Sequence, residues 1–205
     1  MISNFFKKHN NDYDFDFEKI QSYVRTYDIT HGNHINGLIK MFKKIDQEKN
    51  NLIQINLNRL YKSFYLSPND SIESMFLNPE EDEENYSLIV EMFTLSLNLY
   101  LCKFPHLSIT SSTFPRLDFI NQDQFIPKID DFNLGEEYNF LHPLITTQIY
   151  VSRDLNGGEI LFFDDQYHLR INNMACIIFP CNFIYNYSVS KVKSGKIMRI
   201  TSHHF

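Results

Sequence analysis

Apolar residues recur at helical spacing in the first half of the chain. Residues 15–27 carry apolar residues close to a helical stripe, and the pattern returns over residues 33–49, where Asn33 suits a helix N-cap. Residues 67–76 are predicted to form a short helix. Residues 86–104 are apolar almost all round, which predicts a helix packed across a sheet.

The period changes in the second half. Short runs rich in β-branched and aromatic residues, separated by turn signals, predict strands. Asn156-Gly157 predicts a tight hairpin turn over residues 155–158, and a second turn is predicted over 171–174. Helices followed by about eight short strands predict an α+β domain. The predicted strands cover residues 107–110, 117–121, 145–152, 160–163, 168–171, 174–179, 182–189 and 196–203.

Length and composition favour one globular domain. The chain has 205 residues, of which 43% are hydrophobic and 21% charged. We predict a single domain over residues 1–205. Residues 1–105 are expected to be mainly helical support, and residues 106–205 are expected to form the strand-rich core.

Charge and cysteine content narrow the classes of partner and compartment. The net charge of −6 argues against a nucleic-acid partner, and the acidic residues 80–84 are expected to be solvated. No long apolar run predicts a membrane span, and the N-terminus lacks a secretory pattern. Cys102, Cys176 and Cys181 form no close pair, which predicts free structural thiols. We therefore expect a cytoplasmic, intracellular protein.

A series of short motifs follows in a fixed order after residue 124. They are Phe125-Ile126-Pro127-Lys128-Ile129-Asp130, Ile149-Tyr150-Val151, Gly157-Gly158-Glu159, Ile177-Ile178-Phe179-Pro180, Tyr187 and Gly195. Their order and spacing resemble the 2-oxoglutarate/Fe(II)-dependent dioxygenase superfamily of the prolyl-hydroxylase kind, which reads F-x-P-H-x-D, I-Y-L, G-G-E, I-F-P, H and G-x-R. The resemblance implies a double-stranded β-helix, a distorted jelly roll, with the N-terminal helices packed on it.

The metal site implied by the resemblance is degenerate. Lys128 stands at the first histidine of the iron triad and Tyr187 at the second, so only Asp130 matches. An ammonium has no lone pair, and a phenol with a pKa near 10 resists ionisation. We expect these three to be vestigial metal-site positions, with no bound metal and no catalytic residue. Lys128 is expected to pair with Asp130 or be solvated, and Tyr187 to fill the barrel mouth, with a tyrosinate ligand as the alternative.

The co-substrate side of the site is also altered. Ile197 stands where the family places the basic residue that holds 2-oxoglutarate, and Arg199 lies two residues further on the same strand face. Tyr150 matches the tyrosine that helps hold the carboxylate in close relatives. Tyr150 and Arg199 are therefore a candidate anion or co-substrate pocket, and the alternative for Arg199 is a structural ion pair.

The remaining histidines give weaker signals. His142 is a candidate substitute ligand, although a lone histidine is more often structural. His203 and His204 are expected at the surface beyond the sheet. His31 and His34 have a spacing found in metal sites, but no second ligand pair accompanies them.

The altered site predicts a catalytically inactive dioxygenase-like protein that acts through protein–protein binding, by modulating a genuine hydroxylase or a host response pathway. In kind it is similar to the hydroxylase-like host modulators of poxviruses. One alternative is an active oxygenase that uses Fe(II) and 2-oxoglutarate with non-standard ligands, including Asp130 and His142. Another is a small-molecule or peptide binding module built on Tyr150, Lys128 and Arg199.

Overall fold

The computed structural model of the protein describes residues 17–28, 36–40, 61–66, 71–76, 83–113, 115–129, 142–171 and 174–205. These residues are mostly strand, with few helices. Helix α1 is Phe17–Gln21, α2 covers residues 36–40, and α3 is the long helix Glu83–Lys103. A 3-10 turn covers Phe183–Tyr185. The strands are β1 Arg25–Asp28, β2 Tyr61–Leu66, β3 Ser71–Phe76, β4 Arg116–Ile120, β5 Ile126–Ile129, β6 Ile145–Gly157, β7 Ile160–Phe162, β8 Tyr167–Leu169, β9 Met174–Pro180, β10 Tyr187–Val189 and β11 Val192–His204.

The strands form two antiparallel sheets. The larger sheet has the order β1-β9-β6-β11-β4-β3-β2, and the smaller has the order β5-β10-β7-β8. Inward-facing residues of both sheets share one apolar cluster, so the sheets face each other. This arrangement is a double-stranded β-helix whose sheets do not close, which confirms the fold class predicted from the sequence.

The strands β4, β6, β9 and β11 of the larger sheet bury residues on both faces. Alternate residues of these strands point to opposite sides, so one set meets the smaller sheet and the other set meets α3. The predicted helix over 86–104 is therefore confirmed, both in its position and in its packing across the sheet. The buried residues between α3 and the sheet include Ile89, Met92, Phe93, Tyr100, Leu117, Ile149, Met198 and Ile200.

Of the predicted N-terminal helices, one was wrong in part and another was wholly wrong. The helix predicted over 15–27 ends at Gln21, and Arg25–Asp28 instead forms β1. Backbone pairing of β1 with β9 outweighs the helical stripe there. The helix predicted over 67–76 is wrong, because Ser71–Phe76 forms β3 between β2 and β4. Of the helix predicted over 33–49, residues 36–40 are helical and the others lie outside the described residues.

Two strand predictions also need correction. Residues 107–110 form no strand; Thr110 instead donates its backbone N–H to the Phe205 carbonyl at 2.6 Å. Residues 182–189 divide into the 3-10 turn and β10. The Asn182 side chain caps that turn by accepting from the Ile184 N–H at 2.9 Å, which favours a turn over a continuous strand.

The predicted hairpin at 155–158 was wrong in its connectivity. Strand β6 pairs with β9 and β11 in the larger sheet, whereas β7 pairs with β8 and β10 in the smaller one. Gly157 and Gly158, at φ +75° and +68°, therefore carry the chain from one sheet to the other. The turn predicted over 171–174 joins β8 to β9, and its two central residues lie outside the described residues.

All three cysteines are free thiols, as predicted. Cys176 and Cys181 are buried at β9 and directly after it, whereas Cys102 is exposed near the end of α3. Burial raises the pKa of the Cys176 thiol to about 12, so this thiol stays protonated at neutral pH. The division into 1–105 and 106–205 stays a prediction, and β1 to β3 from the first part belong to the larger sheet.

Replacing Gly157 by alanine should destabilise the domain by at least about 1–2 kcal/mol, the cost of placing an L-residue in the left-handed region. A Cβ at this position would also press against the backbone carbonyl of Lys191. Urea unfolding measures the change. Asn156→Ala, at the exposed neighbouring position, is the control and should change stability much less. Equal losses in the two variants would contradict the strained crossover.

Candidate functional site

A row of polar residues crosses the inner face of the larger sheet. Arg199 on β11 lies opposite Asp118 on β4 and opposite Tyr150 on β6, so three neighbouring strands place these side chains beside one another. None of the three exposes any surface to solvent. Buried polar groups need hydrogen-bond partners. Here Arg199 bonds to Asp118, and Tyr150 bonds to Gln148 two residues earlier on β6.

Asp118 lies between two guanidinium groups. Arg199 donates from Nε and Nη2 to Asp118 Oδ2, at 2.9 and 2.5 Å. Nε of Arg116 lies 3.2 Å from Asp118 Oδ1, and its Nη2 lies 3.4 Å from Oδ2. Because the pair Asp118–Arg199 is fully buried, removing Asp118 would leave the Arg199 charge without its carboxylate in the interior.

The hydrogen bonds continue from Arg199 across the space between the sheets. Arg199 Nη1 donates to the Tyr187 hydroxyl at 3.1 Å, and Gln148 Nε2 donates to the same hydroxyl at 2.6 Å. The Tyr150 hydroxyl in turn donates to Gln148 Oε1 at 2.8 Å. We call these connected side chains the interior network: Arg116, Asp118, Gln148, Tyr150, Tyr187 and Arg199.

Aromatic packing fixes the Tyr187 ring. The ring lies on β10 of the smaller sheet, only 1% exposed, with the Phe162 and Phe179 rings at centroid distances of 5.8 and 5.3 Å. The Arg199 guanidinium lies 5.9 Å from the ring centroid. Tyr187 therefore fills the interior with its ring and anchors the network with its hydroxyl.

Lys128 lies outside the interior network. It is on β5, its side chain is about half exposed, and its ammonium pairs with Asp164 in the turn between β7 and β8. Asp164 and its neighbours Phe163 and Asp165 all have positive φ, a backbone conformation that non-glycine residues seldom adopt. Asp130 lies outside the described residues, so its expected pairing with Lys128 stays a prediction.

The residues at two of the three ligand positions that the motif resemblance implies, Lys128 and Tyr187, do not fit an Fe(II) site. Lys128 has no lone pair to donate while protonated and ion-paired. The Tyr187 oxygen already accepts two hydrogen bonds, which a metal would have to displace. Among the residues that the structure describes, no group of three or more His, Cys, Asp or Glu side chains is placed to hold a metal ion. His142 is exposed before β6, and His31 and His34 lie outside the described residues.

The surface position expected for His203 and His204 was wrong. Both belong to β11, which extends to His204 opposite Ile145, and both are 2% exposed. His203 Nδ1 lies 3.2 Å from Thr146 Oγ1, and the two ring nitrogens of His204 lie within 2.9 Å of Ser112 Oγ and Thr147 Oγ1. Their pKa values fall to about 3 and about 4, in each case chiefly because burial disfavours the imidazolium.

The sequence reasoning missed three members of the interior network. Arg116 and Asp118 lie two residues apart on one face of β4, and Gln148 lies on β6 between Thr147 and Ile149. The available signal was a charged or amide side chain at a strand position that the alternation places on the core-facing side. Of the predicted pocket residues, Tyr150 and Arg199 do lie together in the interior, connected through Gln148 and Tyr187.

Solved structures with this architecture identify the fold. Neither a family model nor a curated protein sequence matches the chain. A prolyl-4-hydroxylase from Pseudomonas putida superposes with a TM-score of 0.62 at 10% identity, covering 89% of this chain and 91% of that one. A prolyl hydroxylase from Trichoplax adhaerens, solved with a peptide fragment of the hypoxia inducible factor oxygen degradation domain, gives 0.62 at 13%, covering 92% and 86%. The viral collagen prolyl hydroxylase of Paramecium Bursaria Chlorella virus-1, solved with 2OG, gives 0.58 at 15%, covering 89% and 94%.

The chain has the prolyl-hydroxylase-like 2-oxoglutarate oxygenase fold. This confirms the resemblance drawn from its motifs at the level of fold. In this prolyl-hydroxylase-like domain, the interior network lies on strands β4, β6, β10 and β11, between the two sheets. In the described part of the chain, no helix combines the length and apolarity needed to cross a bilayer.

Replacing Tyr187 by phenylalanine keeps the ring and removes the hydroxyl that accepts from Gln148 and Arg199. Because two buried donors lose a partner, we expect a loss of about 1–3 kcal/mol in unfolding free energy, measured by urea unfolding. Tyr167→Phe, on a partly exposed ring of β8, is the matched control. If both variants unfold at the same urea concentration, the Tyr187 hydroxyl does not anchor the network.

His204 should make folding sensitive to mild acid. Its pKa is about 4 in the folded chain against 6.5 for an ordinary histidine, so below pH 6.5 the unfolded chain binds a proton that the folded chain does not. The associated stability, up to about 3 kcal/mol, is present above pH 6.5 and lost as the pH falls toward 4. Unfolding free energies of wild type and His204→Gln between pH 7 and 4.5 check this. The wild type should lose more than the variant, while His106→Gln at an exposed site should follow the wild type.

Proposed function

We propose that this chain is a catalytically inactive protein with the 2-oxoglutarate oxygenase fold, which acts by binding another protein. The observation that carries the proposal is the interior network. It fills the space between the sheets with side chains that hydrogen-bond to one another, and Tyr187 at a ligand position is one of its members.

The chemistry of the donors supports inactivity. A functional site in this fold holds Fe(II) through two imidazoles and a carboxylate and leaves positions open for 2-oxoglutarate and oxygen. Here Lys128 offers an ammonium that pairs with Asp164. Arg199, two residues beyond the family's carboxylate-binding position on the same strand face, is engaged by the Asp118 carboxylate. A dicarboxylate would have to break this pair before it could bind.

A peptide segment is the partner that we favour. The Trichoplax adhaerens prolyl hydroxylase with this fold was solved with a peptide fragment bound. A chain that keeps the fold and loses the iron ligands is suited to bind a hydroxylase's substrate, or the hydroxylase itself, without catalysing the hydroxylation. The net charge of −6 disfavours nucleic acid as the partner, and three free thiols support a reducing, intracellular location.

Anaerobic calorimetry with Fe(II) and 2-oxoglutarate tests inactivity directly. We expect no saturable binding of either at micromolar concentration, and no succinate formation when oxygen is admitted. Micromolar binding of both would overturn the proposal and favour the active oxygenase. Asp130→Ala is the control for that outcome, because binding through the remaining triad position would be lost in it.

The binding role needs a separate measurement. Added at increasing ratios to an active prolyl hydroxylase and its peptide substrate, the folded chain should lower the initial rate of 2-oxoglutarate turnover. The heat-unfolded chain serves as the control for crowding and non-specific effects. An unchanged rate at excess chain would contradict competition for the substrate or for the enzyme.

A further inference from the structure

The environment of Asp118 is that of a bound carboxylate ligand. One of its oxygens receives two N–H donors from Arg199, and its second oxygen faces Nε of Arg116 at 3.2 Å. Charge-assisted hydrogen bonds such as the two from Arg199 are how proteins hold free carboxylates, and the contact with Arg116 Nε is an ion pair. None of these contacts requires that the carboxylate be covalently attached to β4.

The surroundings form a built site. Arg199 and Asp118 have no exposed surface, and the Tyr187 hydroxyl holds the far side of the guanidinium at 3.1 Å. The apolar side chains of Ile120 and Ile197 are fully or almost fully buried. They lie two residues along the same strands, on the same face of the sheet. The guanidinium is therefore positioned by its neighbours and shielded from water, so it requires an anion in front of it.

We propose that Arg199 and Arg116 form a carboxylate-binding site that Asp118 occupies as an internal ligand, and that removing the Asp118 carboxylate turns the interior into a receptor for small monocarboxylates. This inference rests on the proposed function, which requires that no external carboxylate binds to the intact chain. An external anion competes against a tethered one, whose effective concentration in the site is far higher.

The size of the ligand follows from the size of the deletion. Asp118→Ala removes one carbon and two oxygens, the heavy atoms of formate. Asp118→Gly removes one carbon more, and so leaves space that acetate fills. Formate should therefore suit the alanine variant best, and acetate should gain on formate in the glycine variant.

Thermal unfolding in sodium formate, with sodium chloride at the same concentration as reference, tests the proposal. Asp118→Ala should melt below wild type, because the Arg199 cation loses its partner. Its melting temperature should then rise with formate over the millimolar range and approach saturation, because a ligand that binds only the folded state stabilises it. Wild type should respond alike to formate and chloride.

Two further variants separate site binding from a general salt effect. Asp118→Ala combined with Arg199→Met removes the cation and should show no formate response beyond that to chloride. Asp123→Ala removes a carboxylate from an exposed ion pair with Lys191, and should also show none. Asp118→Asn fills the site with a neutral amide of the same shape and should respond less than Asp118→Ala.

Each outcome decides the proposal. A formate response of Asp118→Ala no greater than that of wild type would overturn it. If the variant unfolds without formate, refolding it in formate is the expected rescue, and failure to refold in any carboxylate counts equally against the proposal. Binding of Fe(II) and 2-oxoglutarate by wild type would refute the proposed function instead, whatever the variant does, so the two failures are distinguishable.

Discussion

The structure depends on a positive charge that has no route to solvent. The Arg199 guanidinium keeps its proton at any physiological pH and is completely buried, so the fold must supply it with an anion. Asp118 meets this requirement from the neighbouring strand, where the register of β4 against β11 sets the two residues directly opposite each other. A slip of β4 by one residue in that register would turn Asp118 to the α3 face and leave the Arg199 guanidinium without its anion. The ion pair therefore helps to specify the strand pairing.

The same constraint links the two sheets. Tyr187 on β10 belongs to the smaller sheet, yet its hydroxyl accepts from Arg199 and Gln148 of the larger one. Its ring packs on Phe162 beside it and on Phe179 across the interior. A histidine at this position could bind a metal. The tyrosine side chain is longer, and its hydroxyl is an acceptor that reaches the Arg199 guanidinium. At this position the two sheets are thus connected by hydrogen bonds and aromatic contacts.

The sequence predicted α3 and most strands of the C-terminal half, because these segments are rich in apolar residues and largely buried, but it missed β5. It failed for β1 and β3, where short segments take their structure from pairing with β9 and β4 and carry little pattern of their own. Motif spacing located Tyr150, Tyr187 and Arg199 at the site. It did not reveal Asp118, because the position of this aspartate on β4 marks only a buried charge, and the strand register is what brings it to Arg199.

The sequence also predicted a surface position for His203 and His204 wrongly, because it does not show which residues cover the end of β11. Polar residues near the end of a strand suggest a solvent-exposed end, but here residues 110–113 cover it through hydrogen bonds to the backbone of His203 and Phe205. Once covered, the imidazoles lose their charge and serve as neutral hydrogen-bond groups for Thr146, Thr147 and Ser112. His203 also lies near Arg116 and Arg199, whose positive charges lower its pKa further. The interior thus keeps its charges on the guanidinium–carboxylate pairs, and the histidines around them remain neutral.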